Sequence, residues 1–180
     1  GFENLSLDLM FGLPGQSLVQ WEADLQAALA LRPDHLSCYN LTFEPGTRLE
    51  RDRRRGTVQP NDGEVDRAMF LATRRVLAHA GFTAYEVSNF AGAGGPCMHN
   101  DHYWLQGNYV GVGPGAASHC DGVRTTNLKA LHAWSEAVLE GKAPVGQAET
   151  LTAEQRAREA IWLGIRRTSG VDLSEVQDRL

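Results

Sequence analysis

Two hydrophobic periods alternate along the first half of the chain, and that alternation constrains the fold more than any other feature. Leu5, Leu7, Leu9 and Phe11 alternate with Ser6, Asp8 and Met10, the two-residue period of a strand with one apolar and one mixed face. GLPGQ (12–16) turns the chain. Ser17 and Gln20 then form a capping-box pattern ahead of Trp21, Leu25, Ala28 and Leu29, which share one helical face. Pro33 ends that helix near Arg32. HLSCYNLTF (35–43) is expected to be a second strand, closed by the turn EPGT, and residues 48–63 a charged loop. Val65, Ala68, Met69, Ala72, Val76 and Leu77 make the next helical stripe, capped by Gly81, and FTAYEVSNF (82–90) is expected to be a third strand. Strand–helix–strand twice over implies two βαβ units, parallel strands and helices outside. The leucines of the first strand would then pack on helices and Asp8 would point inward. Asn40 and Thr42 would share a face opposite Leu41 and Phe43. Sites in such barrels gather at the C-terminal ends of the strands, so FGLPGQ, FEPGT and SNF should line one mouth.

After residue 91 the pattern changes. Eight glycines fall between Ala91 and Gly122, with Pro96 and Pro114, and the only regular element expected there is a short strand near 109–112. This window contains MHNDHYW (98–104). Two helices should follow: one capped by Asn127 with Leu128, Leu131, Trp134 and Val138 inward, the other capped by Thr152 and Gln155 and running to about Arg167. Asp172 and Glu175 mark the start of a third. The expected division is 1–122, half of a barrel with its glycine-rich loop, and 123–180, a truncated helical subdomain. A chain without an initiator Met that enters almost at once into a strand and stops just inside a helix is expected to be an excerpt of something longer.

Composition narrows the function classes. A net charge of −5 gives no general electrostatic case for nucleic acid. Arg51, Arg53, Arg54 and Arg55 form the only basic run, expected to be a solvated loop. No apolar run approaches the ~20 residues of a membrane span and no signal peptide opens the chain, so a cytoplasmic location is expected. Cys38, Cys97 and Cys120 share no CxxC-type spacing, which argues against a zinc knuckle or a disulfide framework.

Several residues carry possible chemistry. Asp8, if it faces a lumen, is either a carboxylate held by backbone at a strand end or an acceptor for ligand hydroxyls or an amine. GLPGQ allows close backbone approach but lacks the GxxxxGK[ST] of a phosphate loop. Around MHNDHYW, Cys97, His99, His102 and Asp101 could contribute to a zinc site, although no second ligand pair lies in reach. Haem iron needs only one or two ligands, and Cys97, Met98, His99 and His102 qualify, with Tyr103 and Trp104 able to flank a flat macrocycle. A satisfied polar loop is the third reading. Glu86 and Asn89, at the same expected mouth, are catalytic candidates or strand-end hydrogen bonders.

Taken together, DLMFGLPGQ, PDHLSCYNLTFEPGT, GFTAYEVSNFA, HNDHYW and YVGVGPGAAS, in that order and spacing, resemble the radical S-adenosylmethionine family of HemW haem chaperones and anaerobic coproporphyrinogen III oxidases. The resemblance covers nearly the whole chain. It implies the second half of a partial (β/α)6 barrel followed by the start of a small helical domain. It further implies S-adenosylmethionine bound by Asp8, by Thr42 through its backbone, and at Ala117 within the Gly115–Ser118 segment. HemW proteins commonly carry His at the Ala117 position; His119, two residues on, is not its equivalent. The family's C-x-x-x-C-x-x-C motif for a [4Fe–4S] cluster is absent and would lie upstream, so this stretch by itself is expected to be inactive. H-N-x-x-Y-W points to the haem carrier over the oxidase. His99 is then the implied haem contact and iron ligand, Tyr103 and Trp104 shape its pocket, Asn100 completes the motif, and Asp101 and His102 fill variable positions. Implied partners are haem and haem-accepting proteins, with membrane contact only through such an acceptor.

Overall fold

In the computed structural model, which describes residues 3–177, the expected first strand, helix and second strand form as β1 (Ser6–Phe11), α1 (Leu18–Ala30) and β2 (His35–Asn40). The described chain divides into two compact units between Cys97 and Met98. The first continues with α2 (Arg48–Arg54), α3 (Gly63–His79), β3 (Thr83–Ala84) and β4 (Asn89–Ala91), and its sheet runs β1-β2-β4-β3. Ser17 and Gln20 cap α1 reciprocally, as their spacing requires. Leu7 and Leu9 pack with the helices against a core of Trp21, Leu25, Leu36, Met69, Leu77 and Phe90, while Asp8 on the other face is exposed. Within this core the Trp21 indole N–H donates to the Thr73 hydroxyl at 2.9 Å.

Two expectations for this unit are corrected. The third strand is not one parallel strand: FTAYEVSNF folds back on itself, and the reversed β4 pairs antiparallel with both β2 and β3. The reversal has a local cause. Glu86, fully buried, accepts hydrogen bonds from the Ser88 backbone N–H at 2.7 Å and the Asn89 side-chain amide at 2.6 Å, which curls the chain between the two strands. The charged loop after residue 48 begins as a helix. Thr47 caps α2, and Glu50 pairs with Arg53 and Arg54, both at 2.7 Å, at the three- and four-residue spacings that meet on a helix.

The second unit contains α4 (Met98–Trp104), β5 (Ala117–Cys120), β6 (Val123–Asn127), α5 (Leu131–Leu139), β7 (Val145–Thr150), α6 (Ala153–Gly164) and α7 (Leu173–Gln177). Its antiparallel sheet runs β5-β6-β7. The expected all-helical tail is therefore corrected to a mixed α/β unit. Residues 121–122, where the sequence places a domain boundary, are the turn of the β5–β6 hairpin. Asp121 and Gly122 both have positive φ, 49° and 81°, the Asp-Gly combination that suits a two-residue hairpin. Asn127 ends β6 instead of capping a helix, and its amide donates to the carbonyls of Gly113 at 2.9 Å and Gly111 at 3.4 Å. The next helix starts at Leu131 without a side-chain cap, and Leu131 and Val138 face outward. The strand expected near 109–112 reduces to one bridge between Tyr109 and His119. Thr152 and Gln155 do cap α6 as a box, and Asp172 accepts from the Ser174 N–H at the start of α7. The continuation of that last helix past residue 177 lies outside the described residues. No helix among the described residues is long and apolar enough to cross a membrane.

Candidate functional site

Side chains on one face of the first sheet follow directly from strand register. Asp8 lies beside Ser37, and Ser37 beside Asn89, so β1, β2 and β4 present a polar row on one face while Leu7, Leu36 and Phe90 form the apolar row on the other. The neighbouring row holds Ser6 and His35. His35 Nδ1 lies 2.9 Å from the Ser6 hydroxyl and its Nε2 2.9 Å from the Tyr85 hydroxyl. Burial pushes the His35 pKa down, against the opposing pull of the Asp8 and Glu86 carboxylates. Burial, with the Asp8 charge adding to it, pushes the Cys38 thiol up to about 12. Cys38 thus behaves as a small buried hydrophobe, not a thiolate.

Gly12 follows β1 with φ of 76°, and a Cβ there would come within 3.0 Å of Asp66 and 3.3 Å of Asn40. The turn after Asp8 therefore favours glycine chiefly for its conformation, and a larger residue would also press on the Asp66 and Asn40 side chains. Thr42, in the exposed segment after β2, has its carbonyl engaged by the Glu44 N–H at 3.1 Å. Asp8 and Thr42 are both accessible, which fits acceptors for a polar small molecule. Ala117 belongs to the second unit, where it opens β5 and is exposed. Glu86 and Asn89 are buried and hydrogen-bonded to each other, so the structure gives them the strand-end role.

In the second unit MHNDHYW is a helix, not a loop, and the helix sorts its side chains. Successive residues are about 100° apart, so His99 and Tyr103 share one side while Asp101 and Trp104 share another. The exposed His99 ring meets Tyr103 edge-on at 4.8 Å, and Tyr103 meets Tyr109 edge-on at 4.7 Å. On the other side Asp101 accepts from Arg167 at 2.7 Å and Arg166 lies over the Trp104 ring at 4.5 Å. Tyr103 and Trp104 thus point different ways, and Trp104 holds α4 in place. His102 Nε2 donates to the Asn108 carbonyl at 2.7 Å, and its ring fills the space where a Cβ on Gly107 would sit. Those contacts give His102 a structural role.

The accessible His99 imidazole with its aromatic neighbour is chemically suited to hold haem iron, were haem bound. Among the described residues no three His, Cys, Asp or Glu side chains converge as metal ligands, and Cys38 is buried, so the residues present do not fit an iron–sulfur cluster. Missing from the residue-level expectations is a cavity of about 380 Å³ in the second unit, lined by Tyr103, Tyr109, His119, Arg124 and Trp162 among others. The Asp121-Gly122 pair was its one local signal, since that turn builds the hairpin carrying His119 and Arg124.

No protein-family profile matches the chain. It is 37 % identical over 171 residues to the haem chaperone HemW of Bacillus subtilis, covering 95 % of this chain and 45 % of that protein. The haem chaperone HemW of Synechocystis is 36 % identical over 177 residues, 97 % of this chain and 43 % of its own length. The mitochondrial radical S-adenosyl methionine domain-containing protein 1 of Mus musculus is 46 % identical over 112 residues, 62 % of this chain and 25 % of that one. Among solved structures, the radical SAM coproporphyrinogen III oxidase HemN of Escherichia coli superposes with a TM-score of 0.77 at 20 % identity, over 99 % of this chain and 44 % of the enzyme. The chain spans less than half the length of these relatives.

Proposed function

Starting from the homology of this chain to part of the proteins named haem chaperone HemW, we propose that the whole protein binds haem and passes it to haem-requiring proteins. The observation that carries this is the exposed His99 on α4 with its ring against Tyr103. An exposed imidazole on a short helix suits a carrier, because a ligand that must be handed on cannot be sealed in. Asp101 and Trp104 fix the helix through Arg167 and Arg166, which among the described residues leaves the exposed His99 ring in contact with Tyr103 alone.

The chain is, on this proposal, the second half of a partial (β/α)6 barrel followed by the start of the appended domain. Asp8 accepts from the amine or hydroxyls of S-adenosylmethionine, and the Thr42 backbone contacts the same molecule. A [4Fe–4S] cluster would have to be held by cysteines other than Cys38, Cys97 and Cys120, and would supply the electron for radical chemistry. The proposal places the protein in the cytoplasm, with haem acceptors as partners and membrane contact only through one of them.

A second reading, oxygen-independent coproporphyrinogen III oxidase, is favoured by the fold shared with HemN. Two assays on the whole protein separate them. Haem titration should give a saturable Soret change that His99→Ala weakens, with transfer to an apo haem protein. Coproporphyrinogen III with S-adenosylmethionine and a reductant should yield no protoporphyrinogen. Product formation without haem binding would replace the first reading with the second.

A further inference from the structure

The ring contacts that start at His99 and run through Tyr103 and Tyr109 continue to a second histidine outside the family motif. Tyr109 and His119 exchange backbone hydrogen bonds of 2.7 and 3.0 Å as an antiparallel pair, so their side chains lie on the same side, with ring centroids 6.3 Å apart. The row extends across the sheet, His119 in register with Arg124 and Arg124 with Glu149. Trp162 and Leu163 of α6 and Tyr103 of α4 complete the walls of the 380 Å³ cavity. Trp162 is 69 % exposed, a large apolar surface left open beside the cavity.

The His119 ring is arranged as a ligand. Its Nδ1 lies 3.4 Å from the Gly107 carbonyl oxygen, which can only accept, so Nδ1 is the donor there and Nε2 is the ring nitrogen left for a ligand. Histidines that bind metals are commonly oriented in this way, with the second ring nitrogen donating to a backbone carbonyl. His102 has the opposite arrangement, with Nε2 donating to Asn108. His99 makes only its ring contact with Tyr103 among the described residues, so nothing there fixes its tautomer. Arg124 is engaged on two sides, by Glu149 at 2.9 Å and Glu159 at 2.8 Å. That wall offers a ligand's carboxylates no free cation, and its rings offer an apolar surface to a flat ligand body.

We infer that this cavity is a second part of the haem site, with His119 Nε2 as an iron contact and Trp162 packed against the macrocycle. The inference rests on the haem-binding reading. It is tested on the whole protein by titrating ferric haem and following both the Soret band and the electron paramagnetic resonance spectrum. His119→Ala should weaken binding about tenfold or more and change the spin-state signature, and added imidazole should restore that signature. Trp162→Ala should weaken binding and leave the spin state unchanged. A wild-type affinity and spectrum in His119→Ala, with both lost in His99→Ala, overturns the inference and leaves the haem reading standing. Loss of binding in His119→Ala without rescue by imidazole overturns the ligand assignment in favour of a packing role. No Soret change in the wild type overturns the haem reading and this inference with it.

Discussion

The two units are stabilised by different interactions. In the first, Trp21, Leu25, Leu36, Met69, Leu77 and Phe90 are all 2 % exposed or less, a core of large side chains under two long helices. In the second, the buried cluster is Ala157, Ala160 and Val176, and the elements are tied by polar contacts instead: Asp101 to Arg167, Arg124 to two glutamates, Asn127 to two loop carbonyls. Burial of large apolar side chains yields about 1.5–3 kcal/mol each, whereas exposed ion pairs yield roughly 0–1 kcal/mol. The first unit is therefore expected to resist local opening and the second to open at lower cost. Binding surfaces that must load and release a ligand are drawn from such low-stability regions.

Trp21 is the side chain on which the first unit's core depends most. Trp21→Ala should cost about 3–5 kcal/mol in urea unfolding, through the cavity it leaves; a cost below about 1 kcal/mol would show that the first unit is not held by its core. Asn127→Ala removes the donor for Gly111 and Gly113 and should cost about 1–2 kcal/mol. Faster amide exchange confined to residues 111–118 would show it; unchanged exchange would mean the loop is held by other bonds. Asp101→Asn should cost about 1 kcal/mol or less, read as a small drop in melting temperature with weaker haem binding as α4 loosens.

The pH dependence also divides the molecule. His35 is held below the ordinary histidine value of about 6.5, so the unfolded chain takes up a proton that the folded one refuses. Its contribution is fully present above that value and is lost as pH falls through it; His35→Gln should flatten this slope. Glu50, drawn down to about 2 by its hydrogen bonds to Arg53 and Arg54, adds stability above the ordinary glutamate range that is lost as pH falls toward 2. Glu50→Gln should remove that acid limb alone, the smallest effect expected. An acid transition unchanged in both variants would remove these groups from the account.

What the sequence made legible follows the same division. β1, α1, α3 and the capping boxes at Ser17 and Thr152 depend on neighbours within a few residues and were readable as periodicity and caps. The β4 reversal was not, because it depends on a buried carboxylate turning the chain inside what looks like one apolar run. Nor was α4, a short polar helix fixed by Arg167, 66 residues away from Asp101. β6 is half-buried and β7 exposed, so neither shows a clean apolar alternation, and only Asp121-Gly122 marks the β5–β6 hairpin. For the site, motif spacing singled out His99 and Tyr103 together, but only the helix explains why: they are one turn apart. His119 reaches the same rings through a hairpin, which spacing alone does not reveal.

Hydrogen exchange on the whole protein, with and without ferric haem, shows which unit carries the haem site. Haem bound through His99, Tyr103 and the neighbouring cavity should slow exchange in residues 98–124 and in α6, and leave β1 through α3 unchanged. Protection confined to residues 5–43, with 98–124 unaffected, would place haem on the scaffold unit and contradict the account.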